Sequence, residues 1–281
     1  MKERVLNFAC EGEPLVGILA EPEPHDGTPA GVGVLIIVGG PQYRAGSHRQ
    51  FTLLARHLAA HGFPTLRFDY RSLGDSGGET RNFEGVDADI AAAIGALLAA
   101  RPGLRGVVLH GLCDAASAAL MYCEAHADAR VLGLALQNPW FRSEQGQAQA
   151  VLSHYYGKRL RSPDFWLKLL KGGVGLRALR DWRRNRSAAR AAPAARRDDF
   201  RTRMLRAWRN SPLPVVLQLS GEDLTAREFT LGFDQAQPDW PRRPRLTVHR
   251  HAEADHTFSD IATERRMQGE LLAWYLQEFR T

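Results

Sequence analysis

Val107-Val-Leu-His-Gly-Leu-Cys-Asp-Ala-Ala-Ser-Ala-Ala119 changes character in the middle. An apolar run rich in valine leads in, and small helix-tolerant residues lead out, with Gly111-Leu-Cys-Asp-Ala115 between them. This is the strand–turn–helix setting of the G-x-S-x-G nucleophile elbow, with Cys113 in place of serine and Ala115 in place of the second glycine. The turn is sharp and strained, so residues two positions either side of the nucleophile must be small. Cys113 then stands at a helix N-terminus, where the macrodipole favours a thiolate. The plain alternative is a small, buried core cysteine. Ser117 lies a helical turn further on and reads as helix packing.

Outward from this stretch, strands and helices alternate. Residues 4–9 and 15–20 alternate in hydropathy around a turn and predict an antiparallel hairpin. Residues 33–38 form a continuous apolar run, as expected for a strand covered on both faces. A helix is expected over 47–61, a strand over 63–68, a helix over 83–100 and a strand over 105–110. A helix over 114–126, strands over 131–136, 214–220 and 245–250, and a closing helix over 260–279 follow. The rhythm implies an α/β fold, a mostly parallel central sheet with helices on both faces and ligands at the carboxyl ends of the strands. Residues 140–210 break it: helical stretches at 164–170, 176–186 and 199–208 surround a Gly172-Gly173 break, with no strand signal. The expected organisation is a core in two parts, 1–139 and 211–281, with a basic helical cap of 140–210 between them.

Two further loops follow strands. Gly221-Glu-Asp-Leu-Thr225 puts a carboxylate after the 214–220 strand, and Ala254-Asp-His-Thr-Phe258 puts a histidine before the last helix. The chain order nucleophile, acid, histidine is thereby met by Cys113, Asp223 and His256. His256 would take the thiol proton or hold it in an ion pair, and Asp223 would orient the imidazole and stabilise its charge. Glu222 and Asp255 compete as the acid, and His249 and His251 as the base, although both histidines lie in or beside a strand. For the oxyanion hole, one donor is expected from the N–H of Asp114, the other from the loop Gly39-Gly-Pro-Gln-Tyr-Arg44. Pro41 has no N–H, so Gly40 or Gln42 donates, and the sequence does not choose. The loop Asp69-Tyr-Arg-Ser-Leu-Gly-Asp-Ser-Gly-Gly78 reads as support for the site floor.

The 281 residues are 44% hydrophobic and 24% charged, enough for a large core and unlike a disordered chain. The opening MKERVLNFACEGEPL has no apolar signal-peptide core, and a cytoplasmic location is expected. Three cysteines without metal-like spacing are expected to be free thiols. Net charge is +6, but residues 158–209 carry 17 Lys/Arg against four acids, a local +13 that leaves the remainder at −7. The basic character belongs to one segment, so no nucleic-acid partner is expected. No dinucleotide fingerprint, P-loop or metal-ligand cluster is present, so neither cofactor nor metal is expected.

With these motifs in place, the chain resembles the α/β-hydrolase superfamily over nearly its whole length. More narrowly, Gly39-Gly-Pro-Gln-Tyr-Arg44, Gly111-Leu-Cys-Asp-Ala-Ala-Ser117 and Gly221-Glu-Asp-Leu-Thr225 resemble the exosortase A system-associated hydrolase 1 family. That resemblance implies a hydrolase from bacterial exopolysaccharide and protein-sorting loci, which also hold acyl-activating and acyl-carrier proteins. The cysteine nucleophile is similar to that of dienelactone hydrolase, but the cap here is longer and more basic. Asp114 departs from the uncharged residue usual after the nucleophile, and its carboxylate opposes the helix dipole at the thiol. The expected function is hydrolysis or transfer of an acyl group from an ester or thioester through acyl-Cys113. An anionic or carrier-linked substrate, such as an acyl-CoA or an acyl carrier protein, would suit the basic cap. A peptidase-like activity is the second enzyme reading. The alternative from another class is a catalytically silent adaptor that binds an anionic partner or membrane surface through that cap.

Overall fold

The computed structural model describes residues 1–23, 31–40, 42–142 and 199–279. Eight strands lie among them: β1 (Lys2–Cys10), β2 (Glu13–Glu21), β3 (Val32–Ile37), β4 (Thr65–Asp69), β5 (Gly106–Leu112), β6 (Val131–Gln137), β7 (Val215–Ser220) and β8 (Leu246–His251). The described helices are α1 (Gln50–Ala60), α2 (Asp87–Ala100), α3 (Asp114–His126), α4 (Phe200–Asn210), α5 (Leu224–Ala236) and α6 (Ile261–Phe279). The strands form one sheet in the order β1-β2-β4-β3-β5-β6-β7-β8. The β1–β2 hairpin is antiparallel and joins β4 in antiparallel register, while β3 to β8 all run parallel. This is the mostly parallel sheet expected from the strand–helix alternation.

Period-two alternation divides the core into two layers. From β3, Val32, Val34 and Ile36 enter one cluster with Phe51 and Leu58 of α1 and Leu271 and Tyr275 of α6. Leu35 and Ile37 enter the other with Ile90, Ile94 and Leu97 of α2, Ala116 and Leu120 of α3, and Phe229 and Phe233 of α5. Every residue of β3, β5 and β7 is buried, as expected of strands covered on both faces.

Two features differ from or extend the sequence reading. Helix α5 was not expected: Gly232 interrupts it, weakening its helical signal, yet Ala226, Phe229 and Phe233 form a buried stripe along it. Helix α4 falls in the segment expected as cap, and it packs on α3 through buried Met204, Ala207 and Trp208. An Arg206–Glu124 ion pair at 2.9 Å reinforces that contact. Residues Met1–Arg142 and Phe200–Thr281 form one compact unit. The helical stretches expected at 164–170 and 176–186 lie outside the described residues.

Because β3, β5, β6, β7 and β8 are parallel, the segments that follow them emerge at one edge of the sheet. Those segments begin near Gly39, Cys113, Asn138, Asp223 and His256 respectively.

Candidate active site

Cys113 joins β5 to α3 with φ 62° and ψ −124°, a conformation that costs a non-glycine residue roughly 1–3 kcal/mol. The surroundings hold it there. Its N–H donates to Gln137 O at 2.9 Å, and its carbonyl accepts from Ala116 N (3.1 Å) and Trp140 N (3.1 Å). Gly111 is obligatory for close approach: a Cβ there would lie 2.6 Å from the Ala115 backbone. Ser117 is buried and its Oγ donates to Trp140 O at 2.7 Å, so it packs the elbow. Cys10 and Cys123 are also free thiols; burial pushes the Cys123 thiol up to about 12.

Asp223 follows β7 as the N-cap of α5. Its carboxylate accepts the N–H groups of Thr225 and Ala226, both at 3.1 Å, and is 2.9 Å from His256 Nδ1. The Cys113 side chain is near enough to His256 to act on its charge. Burial of the imidazole opposes its charge, but hydrogen bonds and charge from Asp223 and Cys113 outweigh it and raise His256 to about 10. Asp223 and His256 are thus hydrogen-bonded to each other, and Cys113 acts on the same imidazole. Asp255, His249 and His251, which competed for these roles, are engaged elsewhere. Asp255 accepts from Thr257 N and Ser259 N and binds Ser259 Oγ. His249 and His251 both face Glu270 Oε2, at 3.2 and 3.3 Å.

Asn138, unread in the sequence, fixes the histidine loop. Its Oδ1 accepts Ser220 N at 2.8 Å, and its Nδ2 donates to Ser220 Oγ at 2.9 Å and to His256 O at 3.0 Å. Its φ of 42° is one that asparagine tolerates better than most residues. From the other side, His48 Nε2 lies 3.1 Å from Thr257 O.

The loop after β3 is anchored by Arg44, whose N–H donates to Asp69 Oδ1 at 2.6 Å and whose guanidinium pairs with Asp69 and Asp75. Hence the 69–78 loop braces the 39–44 loop. Of the expected oxyanion donors, Gly40 N–H points at Asp114 Oδ2, at 3.0 Å. Gln42 turns its side-chain amide to Ser47 Oγ at 3.1 Å. Burial pushes the Asp114 carboxyl up, against hydrogen bonds from Gly40, Ala115 and its own N–H and the charge of His256.

Among the described residues, no group of three or more His, Cys, Asp or Glu is placed to hold a metal ion, and no helix is long and apolar enough to cross a membrane.

The fold has counterparts among known proteins. An esterase from Pyrococcus furiosus superposes with TM-score 0.66 at 13% identity, over 99% of this chain and 92% of its own. An α/β serine hydrolase without lid from Xanthomonas campestris gives 0.61 at 17% identity, over 100% and 97%. The haloalkane dehalogenase DatA from Agrobacterium tumefaciens gives 0.59 at 17% identity, over 98% and 97%. Comparison with curated protein sequences finds no match. The family model described as "Alpha/beta hydrolase family" matches residues 34–273, from the middle of β3 into the last helix. The chain belongs to the alpha/beta hydrolase family.

Proposed function

We propose that the protein hydrolyses or transfers acyl groups from esters or thioesters through an acyl-Cys113 intermediate. One observation carries this reading: His256 is hydrogen-bonded to Asp223 and coupled to the charge of Cys113, which occupies a strained elbow at the start of α3. The neighbours' reactions do not decide it, since an esterase and a dehalogenase share the fold.

Cys113 Sγ attacks the acyl carbonyl carbon, and the thiol proton resides on His256, on the nitrogen away from Asp223. As the tetrahedral intermediate collapses, His256 gives that proton to the leaving alcohol or thiol, and the acyl group stays on sulfur. Water, or an acceptor hydroxyl in transfer, then attacks the thioester while His256 takes its proton, and Cys113 departs as the leaving group. Asp223 holds Nδ1 throughout and stabilises the imidazolium. The N–H of Asp114, with Gly40 or Gln42, supplies the oxyanion donors. The positive segment 158–209 favours an anionic acyl donor such as an acyl-CoA or an acyl carrier protein. The motifs at 39–44, 111–117 and 221–225 favour work in exosortase-associated exopolysaccharide loci.

The test is turnover of short p-nitrophenyl esters and of acyl-CoAs by the wild type and by Cys113→Ala. The expected result is turnover that falls at least a thousandfold in the variant. Equal turnover by both proteins would refute the cysteine mechanism. Salt-sensitive binding to anionic vesicles with no turnover of any probe would favour the adaptor instead.

A further inference from the structure

The Asp114 carboxylate takes up an N–H that the oxyanion hole is expected to use. Its Oδ2 accepts the Gly40 N–H at 3.0 Å, at the N-terminus of α3. Gly40 is one of the two loop donors, with Gln42 the other, expected to join the Asp114 N–H in stabilising a tetrahedral intermediate beside Cys113. The approach is tight: a side chain at Gly39 would collide with Asp114 Oδ1, so only glycine lets the loop after β3 close on this carboxylate. Oδ1 is buried and makes no hydrogen bond of its own. A carboxylate oxygen on the Gly40 donor is a resident stand-in for the oxyanion.

We propose that Asp114 is the resting occupant of the oxyanion hole, so that an acyl substrate gains the Gly40 donor only by displacing this carboxylate. The proposal rests on the acyl-Cys113 reading and adds a selection to it. A weakly held ester cannot supply the free energy of displacement, whereas a substrate anchored elsewhere can, because binding energy from remote groups is available for rearrangement at the reacting centre. The site would therefore react slowly with small generic esters and faster with a larger, anchored acyl donor.

Two rates on Cys113 separate this from a merely structural role. Alkylation by iodoacetamide needs the sulfur but no oxyanion hole, whereas acetylation by p-nitrophenyl acetate needs both. Asp114→Ala and Asp114→Ser each vacate the Gly40 N–H, and the second guards against a folding failure of the first. The ratio of acetylation to alkylation rate, read by intact mass, should rise about tenfold in both, since a single oxyanion donor is worth roughly 10²–10³ in rate. A rise below threefold, or no acetyl-enzyme from any of the three proteins, overturns the proposal. Wild-type acetylation at Cys113 with a flat ratio would sink only the role of Asp114. Acetylation that persists in Cys113→Ala would sink the underlying cysteine reading.

Discussion

Asp223 serves two structures with one carboxylate, capping α5 through Thr225 N and Ala226 N and holding His256 Nδ1 at 2.9 Å. Asparagine caps helices as well as aspartate does, so Asp223→Asn should keep α5 capped and lose only the stability linked to the His256 charge. It removes the charge that holds His256 near 10, so the His256 titration, followed by NMR, should fall towards 6.5. Ester turnover should drop by about 10⁴, the size expected when the partner imposes the wrong tautomer. The linkage has a definite sign. His256 binds its proton more tightly in the folded state, so its contribution to stability is complete below about pH 6.5 and is lost as pH rises through about 10. The denaturation midpoint difference between wild type and His256→Gln should shrink over that window, and a difference that grew with pH would reverse the assignment. At this scale the order of Cys113, Asp223 and His256 was legible because each residue follows a strand. Asn138 was not, because an asparagine after a strand reads as an ordinary turn residue until its partners, Ser220 and His256, are brought beside it.

Helix α5 joins the acid loop to the core. Its Phe229 and Phe233 are fully buried with Trp208 and Trp240, the Phe233 ring lying 4.8 Å from Phe141 and 5.3 Å from Trp208. Truncating Phe233 to alanine should cost about 3–5 kcal/mol, measured by urea denaturation. The loss would act on the site as well, since Asp223 is the first residue this helix positions. A cost below about 1 kcal/mol would mean that the cluster is not a cohesive part of the core. The strands were legible because their period-two pattern or continuous apolar run is set by sheet burial itself. Helix α5 was obscured by Gly232, whose missing side chain makes room for Phe141. The residue needed for packing between elements thus weakened the local signal of its own element.

At the scale of the whole molecule, the proposed chemistry lies at one edge of a parallel sheet, where five strand ends deliver Gly39, Cys113, Asn138, Asp223 and His256. That convergence follows from topology, and it is why a one-dimensional order of motifs pointed to a three-dimensional site. Sequence separation gave no sign that the carboxylate of Asp114 would reach the Gly40 N–H, 74 positions away, because this contact depends on how closely two loops approach. The account stands on the sulfur of Cys113 carrying the acyl group. The most direct measurement is rapid-quench mass spectrometry after mixing with p-nitrophenyl acetate, followed by peptide mapping. The account predicts one acetyl group, on the peptide holding Cys113, labile to hydroxylamine and absent from Cys113→Ala. An acetyl group on Ser117 or another residue, or an equal yield from Cys113→Ala, would contradict it.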